Sequence, residues 1–553
     1  MKSSLDQDSS KKNLFKQAGI LAIAGIISRI IGLLYGSPLA AIIGDEGNGY
    51  YGAAYAIYTI VLLISSYSIP SAMSKIISGK LAVKEYKNAH RIFKCALVYV
   101  AIVGGIGSLV LFFGADILVT GRSALVLRFY APTIFIFGFL GVLRGYFQAH
   151  RTMVPTSVSQ LLEQIFNAIV SILGALVLTN IAGNEDPSKR AVYGAIGSAI
   201  GTGSGVVIAL IFMFFVYRVN RPNIKKRINS DTHEEMKDKE IYKLILMIVT
   251  PFILSTFIYN FSTSLNSTLF SRILMHVKGL DESVIASMYG IFNRKAMTIT
   301  NIPIALASAA AAAMIPEVST TYSKGNKKEA GETVARVTRV ILMISIPCAV
   351  GLFALSRPVM MILFPQKASL DEASMLLRFL SITVVFYSLS TVTNAVLQGI
   401  GRVNVPVFNA LFALVVQTVV LTLLLIYTEL NDVALCIVTI VYSFLMCILN
   451  NIGMKKRLEI HNDFKKTYLL PTISAIIMGV VAFGVYKGAG FILTFVLGSE
   501  YFRNLFATLI AVVIAVFVYF IVLIKSGGAS EDDIKRLPKG IAIAGLLKRV
   551  KFL

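Results

Sequence analysis

Charged residues and cysteines are scarce in this chain. Only 15% of its 553 residues are Asp, Glu, Lys or Arg, against about 25% in soluble globular proteins. So few charges cannot cover the water-facing surface of a soluble chain of this length. The hydrophobic share of 56% excludes a disordered chain. The four cysteines all lie in apolar segments, which excludes a disulfide-stabilised scaffold. The remaining class is a polytopic membrane protein.

Long apolar segments fill most of the sequence. A helix needs about 20 apolar residues to cross a hydrocarbon core about 30 Å thick, and such windows recur about fourteen times between residues 17 and 525. The windows are continuous, whereas the strands of a membrane β-barrel alternate between apolar and polar residues. We therefore predict an all-α polytopic membrane protein with about fourteen transmembrane helices.

Acidic residues are few relative to basic ones, with 29 Asp and Glu against 52 Lys and Arg and a net charge of +23. If alternate loops lie on opposite sides of the membrane, most of the basic residues fall in the set that contains the N terminus. Short basic loops stay in the cytoplasm, so we predict that both termini are cytoplasmic. Topology and attraction to anionic membrane lipids account for these loops, and we predict no nucleic-acid partner. No cleavable signal peptide is visible.

Several short motifs recur at an offset of roughly 240–250 residues, which corresponds to six helices. The paired segments are 68–71 (SIPS) and 314–317 (MIPE), 51–52 and 289–290 (both YG), and 143–145 (LRG) and 397–399 (LQG). A parallel repeat of this kind indicates two similar six-helix lobes, with two helices appended. The predicted segments are 1–16 (cytoplasmic tail), 17–217 (first lobe), 218–242 (basic cytoplasmic linker), 243–454 (second lobe), 455–525 (last two helices) and 526–553 (cytoplasmic tail).

We single out six charged side chains within the predicted helices. A charge at the centre of a membrane helix costs about 2.5–3.5 kcal/mol on insertion scales, so each charge is a candidate site. They are Arg29, Lys75, Arg144, Glu163, Arg294 and Lys295. Lys75 lies near a helix end, where a lysine can extend to the interface. Arg144 and Glu163 lie on neighbouring helices, and we expect either a structural ion pair or a gate.

Arg29 and Arg294 are the strongest candidates for contact with a substrate. Arg29 lies midway along the first helix, and neither the first nor the seventh helix contains a carboxylate. Arg294 lies about ten residues into the eighth helix, next to Lys295. A guanidinium group keeps its proton and matches two phosphate oxygens at once. Such groups, facing a cavity, favour an anionic phosphorylated substrate. In contrast, the glycine stripe Gly197, Gly201 and Gly205 predicts close helix packing.

The sequence around these charges resembles a known family. Residues 28–33 (SRIIGL) and 143–164 (LRGYFQAHRTMVPTSVSQLLEQ) resemble the polysaccharide-flippase branch of the MOP superfamily, of the SpoVB/YtgP type, which includes the MurJ-like lipid II flippases. The resemblance covers essentially the whole chain. It implies two six-helix lobes around a cationic cavity, with the thirteenth and fourteenth helices shaping a groove for a lipid tail. The family's arginines of the first and eighth helices match Arg29 and Arg294.

Two departures from the MurJ-like pattern concern the substrate. Tyr35 stands where the enterobacterial-type members have a second arginine, six residues after the first. The charged pair of their second helix has no counterpart between Gly49 and Leu63.

The leading functional hypothesis is a monomeric flippase of the bacterial plasma membrane. It would move an undecaprenyl-pyrophosphate-linked saccharide, such as lipid II, to the outer leaflet by alternating access. No cofactor is expected. Without a P-loop motif, the membrane potential or an ion gradient is the expected driving force. The alternatives are a cation-coupled multidrug antiporter of the same superfamily, which would need a membrane carboxylate, and a membrane enzyme that acts on lipid-linked sugars.

The predicted topology can be checked with single cysteines in a variant whose four native cysteines are replaced. We expect Ser230→Cys, in the basic linker, to react with a membrane-impermeant maleimide only after the cells are opened. Ser499→Cys, between the last two helices, should react in intact cells. The reverse pattern would contradict the predicted orientation.

Overall fold

The computed structural model describes residues 2–67, 69–150, 152–183, 185–460 and 463–528. This part of the chain is helical and contains no β-strand, which confirms the predicted fold class. From residue 529 onward, the predicted C-terminal tail 526–553 lies outside the described residues.

The helices form two compact units that divide after Gly290. The first unit contains α1 (Lys2–Leu62), α2 (Ile69–Ala82), α3 (Tyr86–Phe113), α4 (Ala115–Leu118), α5 (Ser123–Ala149), α6 (Val154–Ala182), α7 (Pro187–Asn229), α8 (Asp238–His276) and α9 (Glu282–Gly290). A π-helical turn, Leu63–Tyr67, connects α1 to α2.

The second unit begins with a π-helical turn, Ile291–Met297. Its helices are α10 (Thr298–Ser323), α11 (Lys327–Ala354), α12 (Ser356–Leu363), α13 (Leu370–Leu380), α14 (Thr383–Gly399), α15 (Asn404–Tyr427), α16 (Asn431–Lys455), α17 (Leu470–Leu493) and α18 (Glu500–Lys525). Helix starts recur between the units: α3 begins at Tyr86 and α11 at Lys327, and both have 28 residues. This spacing agrees with the repeat seen in the sequence.

A sharp break divides α1 at Gly44, where φ is +70° and ψ is 177°. Glycine adopts this backbone conformation without the steric penalty that a Cβ would bring. The residues before the break correspond to the first predicted membrane helix, and those after it begin the second. Because α1 begins at Lys2, residues 2–16, which we predicted to be part of a cytoplasmic tail, are helical.

Ten helical segments in the described residues are long and apolar enough to cross a membrane. The number is eleven if Lys367–Leu380 and Thr383–Gly399, which are bent by 44°, form one span. The count of fourteen and the positions of the termini stay predictions.

Apolar residues also cover the outer sides of several helices. On α3 the exposed residues follow one another at intervals of three or four and form a stripe: Val98, Ile102, Ile106, Leu109 and Phe113. On α6 the corresponding stripe is Ile165, Ile169, Leu173, Val177 and Ile181. A soluble monomer rarely exposes continuous apolar surface of this extent. Apolar surface of this kind is suited to contact with lipid, and we refer to these stripes as lipid-facing.

Glycines allow α6 and α7 to pack very closely. A Cβ atom built on Gly197, Gly201 or Gly205 of α7 would overlap backbone atoms of α6. The prediction that this stripe serves helix packing is therefore confirmed.

The predicted linker 218–242 is mostly helical, because α7 continues to Asn229 and α8 begins at Asp238. The short loop between them is bound to the start of α3. The Asp231 carboxylate accepts hydrogen bonds from the backbone N–H groups of His233 (2.9 Å) and Lys87 (2.7 Å), which lower the pKa of Asp231 to about 2. The Asn88 side chain accepts a hydrogen bond from the backbone N–H of Met236 at 2.8 Å.

Through this loop α8 packs with the first unit, against α1, α2 and α3. The sequence assigned the same helix to the second lobe, 243–454. The compact units divide after Gly290, whereas the predicted second lobe begins at residue 243, because the loop joins the start of α8 to α3. The limits of the two lobes, as the bodies that move during transport, stay a prediction.

Because α6 and α7 pack closely, the effect of a glycine-to-alanine replacement on stability should depend on its position. We expect Gly201→Ala to lower the free energy of unfolding by about 1–3 kcal/mol, since the added Cβ would overlap α6. Gly484→Ala is the matched control, because a Cβ atom at that position would have no atom within 4 Å, and it should be neutral or slightly stabilising. Thermal unfolding of both variants in detergent provides the comparison. Equal melting temperatures would refute the packing argument.

Candidate functional site

Arg29 lies on α1, fifteen residues before the break at Gly44, and its side chain is exposed. No ion pair with Arg29 is found within the part of the chain that the structure describes. The exposed apolar residues nearby, Ile30 (50%) and Leu34 (67%), point to a different side of the helix, since successive residues are rotated by about 100°. Arg29 therefore lies on a different side of α1 from these two apolar residues.

The side of α1 that carries Arg29 is lined with glycine. Gly25 and Gly32 lie four residues before and three residues after Arg29, so all three share one face of the helix. A Cβ atom built on either glycine would have no atom within 4 Å. Unlike the stripe on α7, these glycines do not pack against a helix. They leave open space on both sides of the arginine.

Arg144 and Glu163 form a buried ion pair between α5 and α6. Arg144 Nη2 lies 2.7 Å from Glu163 Oε2, and the side chains are 7% and 17% exposed. Arg144 Nε also donates a hydrogen bond to Ser159 Oγ at 2.9 Å, and this hydroxyl donates to the carbonyl of Thr156 at 2.7 Å. The pairing expected from the sequence is present in the structure. Whether the pair also acts as a gate stays a prediction.

Two of the sequence motifs meet at this ion pair. Gly145, the neighbour of Arg144, lies so close to α2 that a Cβ atom would be 2.7 Å from the carbonyl oxygen of Pro70. Gly141, one turn earlier, has a similar position beside Pro70 at 3.4 Å. The LRG motif at 143–145 therefore packs on the Ile-Pro motif of α2, which explains why a glycine follows the arginine.

Arg294 and Lys295 lie on the π-helical turn Ile291–Met297 of the second unit. π-helical turns are rare and often occur at functional sites. The Lys295 side chain is only 1% exposed and donates a hydrogen bond from Nζ to Ser369 Oγ at 2.6 Å. Arg294 is half-buried. In this conformation Lys295 is closed off from a substrate, and its proposed role in binding stays a prediction.

Lys75 lies on α2, about two turns before the helix ends at Ala82, and it is exposed. The position is compatible with a side chain that extends toward the membrane interface. Among the described residues, no contact links it to Arg29 or to the Arg144–Glu163 pair.

The structure contains a cluster of four tyrosines that the sequence analysis did not predict. Tyr51, Tyr55 and Tyr58 follow one another on α1 at the i, i+4, i+7 spacing of one helix face, and Tyr130 of α5 joins them. The Tyr51 and Tyr55 rings are stacked, with centroids 5.7 Å apart and an angle of 10° between the planes. Tyr58 and Tyr130 lie 4.6 Å apart. The regular spacing in the sequence was the signal that could have revealed the cluster.

The described residues contain no group of three or more His, Cys, Asp or Glu side chains that could hold a metal ion.

Comparison with known families decides the class. The family model for polysaccharide biosynthesis proteins matches residues 14–322, more than half of the chain. The chain belongs to the polysaccharide biosynthesis protein family. A second model, that of the MatE family, matches residues 294–424. The resemblance to the polysaccharide-flippase branch of the MOP superfamily is thus confirmed.

Two proteins of Bacillus subtilis (strain 168) are similar to this family member along nearly their whole length. The lipid II flippase MurJ is 24% identical over 506 residues, which cover 87% of this chain and 90% of MurJ. Stage V sporulation protein B is 22% identical over 538 residues, which cover 96% of this chain and 98% of that protein.

Solved structures share the fold. Lipid II flippase MurJ in an inward closed conformation has a TM-score of 0.66 at 15% identity and covers 91% of this chain and 97% of MurJ. An inward-facing MATE family transporter of the MOP superfamily has a TM-score of 0.62 at 17% identity and covers 78% of this chain and 94% of the transporter. Together with the apolar helices, these similarities establish a multi-pass bacterial membrane protein.

Replacing the buried Arg144–Glu163 pair tests whether its role is structural or whether it acts as a gate. Glu163→Gln should lower stability by about 3–5 kcal/mol, because it leaves a buried arginine without its counter-charge. The double replacement Arg144→Met with Glu163→Met should recover most of the stability, since apolar residues can fill the same volume.

The activity of the double variant then decides the role. Full transport by a stable double variant indicates a structural pair, whereas a stable but inactive variant indicates a gate. A single variant as stable as the wild-type protein would contradict the burial argument.

Proposed function

We propose that this protein translocates an anionic, lipid-linked saccharide across the bacterial plasma membrane by alternating access. The cargo is an undecaprenyl pyrophosphate that carries a cell-wall or polysaccharide precursor, with lipid II as the leading candidate. Membership of the polysaccharide biosynthesis protein family and the similarity to a protein named lipid II flippase support this proposal. We further propose that the protein works as a monomer and that membrane lipids hold the cargo's lipid tail.

The observation that carries the proposal is the open, glycine-lined face around Arg29. A charge in a membrane helix needs a counter-charge, water or a ligand. Arg144 has Glu163 as its partner, whereas Arg29 lies beside the open positions Gly25 and Gly32. A guanidinium group with open space on both sides can accommodate a bulky diphosphate and bind two of its oxygens. We therefore assign Arg29 to the pyrophosphate.

Arg294 and Lys295 are further cationic candidates in the second unit. Because Lys295 is enclosed and bound to Ser369, we propose that it contributes only in a conformation in which the π-helical turn has opened. The driving force that we propose is the membrane potential or an ion gradient. The potential supplies about 2.3 kcal/mol per elementary charge per 100 mV.

A multidrug antiporter is the second candidate, because the MatE model matches residues 294–424 and a MATE transporter shares the fold. Exchange of a cationic drug needs a membrane carboxylate that is free to change partner. Glu163, the carboxylate that the sequence places within a membrane helix of the first unit, is bound to Arg144 at 2.7 Å. The exposed charge at Arg29 would repel a cation. The charges therefore favour an anionic cargo.

The proposal predicts a severe defect for Arg29→Ala. In host cells depleted of the native protein, we expect this variant to reduce the lipid II that an impermeant probe detects at the outer face by about ten- to hundredfold. The variant loses a charge-assisted hydrogen bond, which contributes about 1.5–3 kcal/mol to binding. Arg29→Lys should retain part of the activity, because it keeps the charge and loses the bidentate geometry.

Arg221→Ala provides the matched control, since it removes an exposed arginine from the basic end of α7. It should leave surface lipid II unchanged. If depletion of the protein leaves surface lipid II unchanged, the lipid II assignment fails. Normal activity of Arg29→Ala would remove the proposed role of the arginine.

A further inference from the structure

The part of α1 that follows Gly44 is an interior helix with one opening. Among residues 45–62, all of which are described, Tyr55 alone is exposed, at 42%. The lipid-facing helices α3 and α6 instead carry continuous stripes of exposed apolar residues. A single exposed position on an otherwise enclosed helix indicates an internal opening. We refer to this opening at the Tyr55 ring as the recess.

Three other rings hold Tyr55 in place. Its ring stacks on Tyr51 with centroids 5.7 Å apart, and it lies 5.7 Å from Tyr58 and 6.0 Å from Tyr130. These three tyrosines are buried, at 8%, 3% and 0% exposure. The result is a supported aromatic surface in which only the outermost ring is accessible.

Polar groups of α1 and α6 lie in the same part of the first unit. Tyr35 and Glu163 lie within electrostatic range of Tyr55. Tyr35 accepts a hydrogen bond from Asn167 Nδ2 at 3.4 Å. Thr59 donates its hydroxyl hydrogen to the carbonyl of Tyr55 at 2.8 Å. The aromatic face of Tyr55 thus lies in a part of the unit whose neighbouring groups are polar, with the Tyr35 hydroxyl held by Asn167.

We propose that this recess is a saccharide subsite, in which a sugar ring of the cargo stacks on Tyr55 while the Tyr35 hydroxyl, which Asn167 positions, forms a hydrogen bond to one of its hydroxyl or acetamido groups. The face of an aromatic ring is electron-rich, and the axial C–H bonds of a hexopyranose present a weakly positive, apolar face to it. The inference rests on the proposed function, since it assigns the sugar of the same cargo whose pyrophosphate is assigned to Arg29.

An organic cation is the competing occupant, because cations also bind aromatic faces. The local charges oppose it. The Glu163 carboxylate is neutralised by Arg144 at 2.7 Å, and the exposed Arg29 belongs to the same unit. A neutral, polyhydroxylated ring fits both the aromatic surface and its polar surroundings.

Binding to the purified full chain in nanodiscs tests the subsite. The two probes are lipid II and undecaprenyl pyrophosphate without sugar, and the readout is the ratio of their affinities. The wild-type protein should bind lipid II more tightly. Tyr55→Ala should reduce this preference by about three- to tenfold, in line with the loss of one aromatic contact, while Tyr55→Phe should keep it.

The controls separate this inference from the proposed function. Arg29→Ala should weaken the binding of both probes and leave the ratio of their affinities unchanged. Tyr427→Ala, which removes a tyrosine that is 78% exposed at the end of α15, should change neither affinity. If the wild-type protein binds neither probe, the proposed function itself fails. An unchanged ratio in a folded Tyr55→Ala variant, or no preference in the wild-type protein, would overturn the sugar subsite alone.

Fluorescence gives an independent readout, because the chain contains no tryptophan. Tyr55→Trp therefore introduces a single indole at the proposed stacking position. Lipid II should shift its emission, and undecaprenyl pyrophosphate without sugar should not. If tetraphenylphosphonium shifts the emission and lipid II does not, the recess binds cations and the proposal is wrong.

Discussion

Charge inside a bundle of apolar helices must be neutralised, hydrated or bound by a ligand, and this requirement organises the structure. Arg144, Lys295 and Arg29 meet it in three different ways. Arg144 is neutralised by Glu163 at 2.7 Å, and Lys295 donates a hydrogen bond to a serine hydroxyl in an enclosed turn. Arg29 is exposed beside open glycine positions. The first two arrangements stabilise the protein, and the third leaves a cation available for a substrate.

The glycines of the chain serve two opposite purposes that follow from the absence of a side chain. On α7 they bring two helices into backbone contact, so a methyl group at Gly201 would overlap α6. On α1 the same residue type faces open space at Gly25 and Gly32, where it leaves room beside an arginine. A stripe of small residues therefore has no fixed meaning until its surroundings are known.

Much of the fold could be predicted from the sequence, because apolar windows and basic loops follow directly from the cost of placing polar groups in a bilayer. The Arg144–Glu163 pair could be anticipated because both residues lie near the same turn between neighbouring helices. Other features could not. The enclosure of Lys295 depends on Ser369, 74 residues away, and the packing of α8 with the first unit depends on a loop bound to α3. The accessible ring of Tyr55 depends on which helices cover α1, whereas its spacing from Tyr51 and Tyr58 was readable in the sequence.

The central claim is that Arg29 makes this protein a carrier of pyrophosphate-linked lipids. The most direct measurement reconstitutes the purified protein in liposomes with a fluorescent undecaprenyl-pyrophosphate-linked sugar and follows the fraction that an impermeant reductant can quench. The wild-type protein should make the inner-leaflet pool accessible within the assay time, and Arg29→Ala should not. Equal transport by both proteins, or transport of a cationic dye in place of the anionic lipid, would contradict the account.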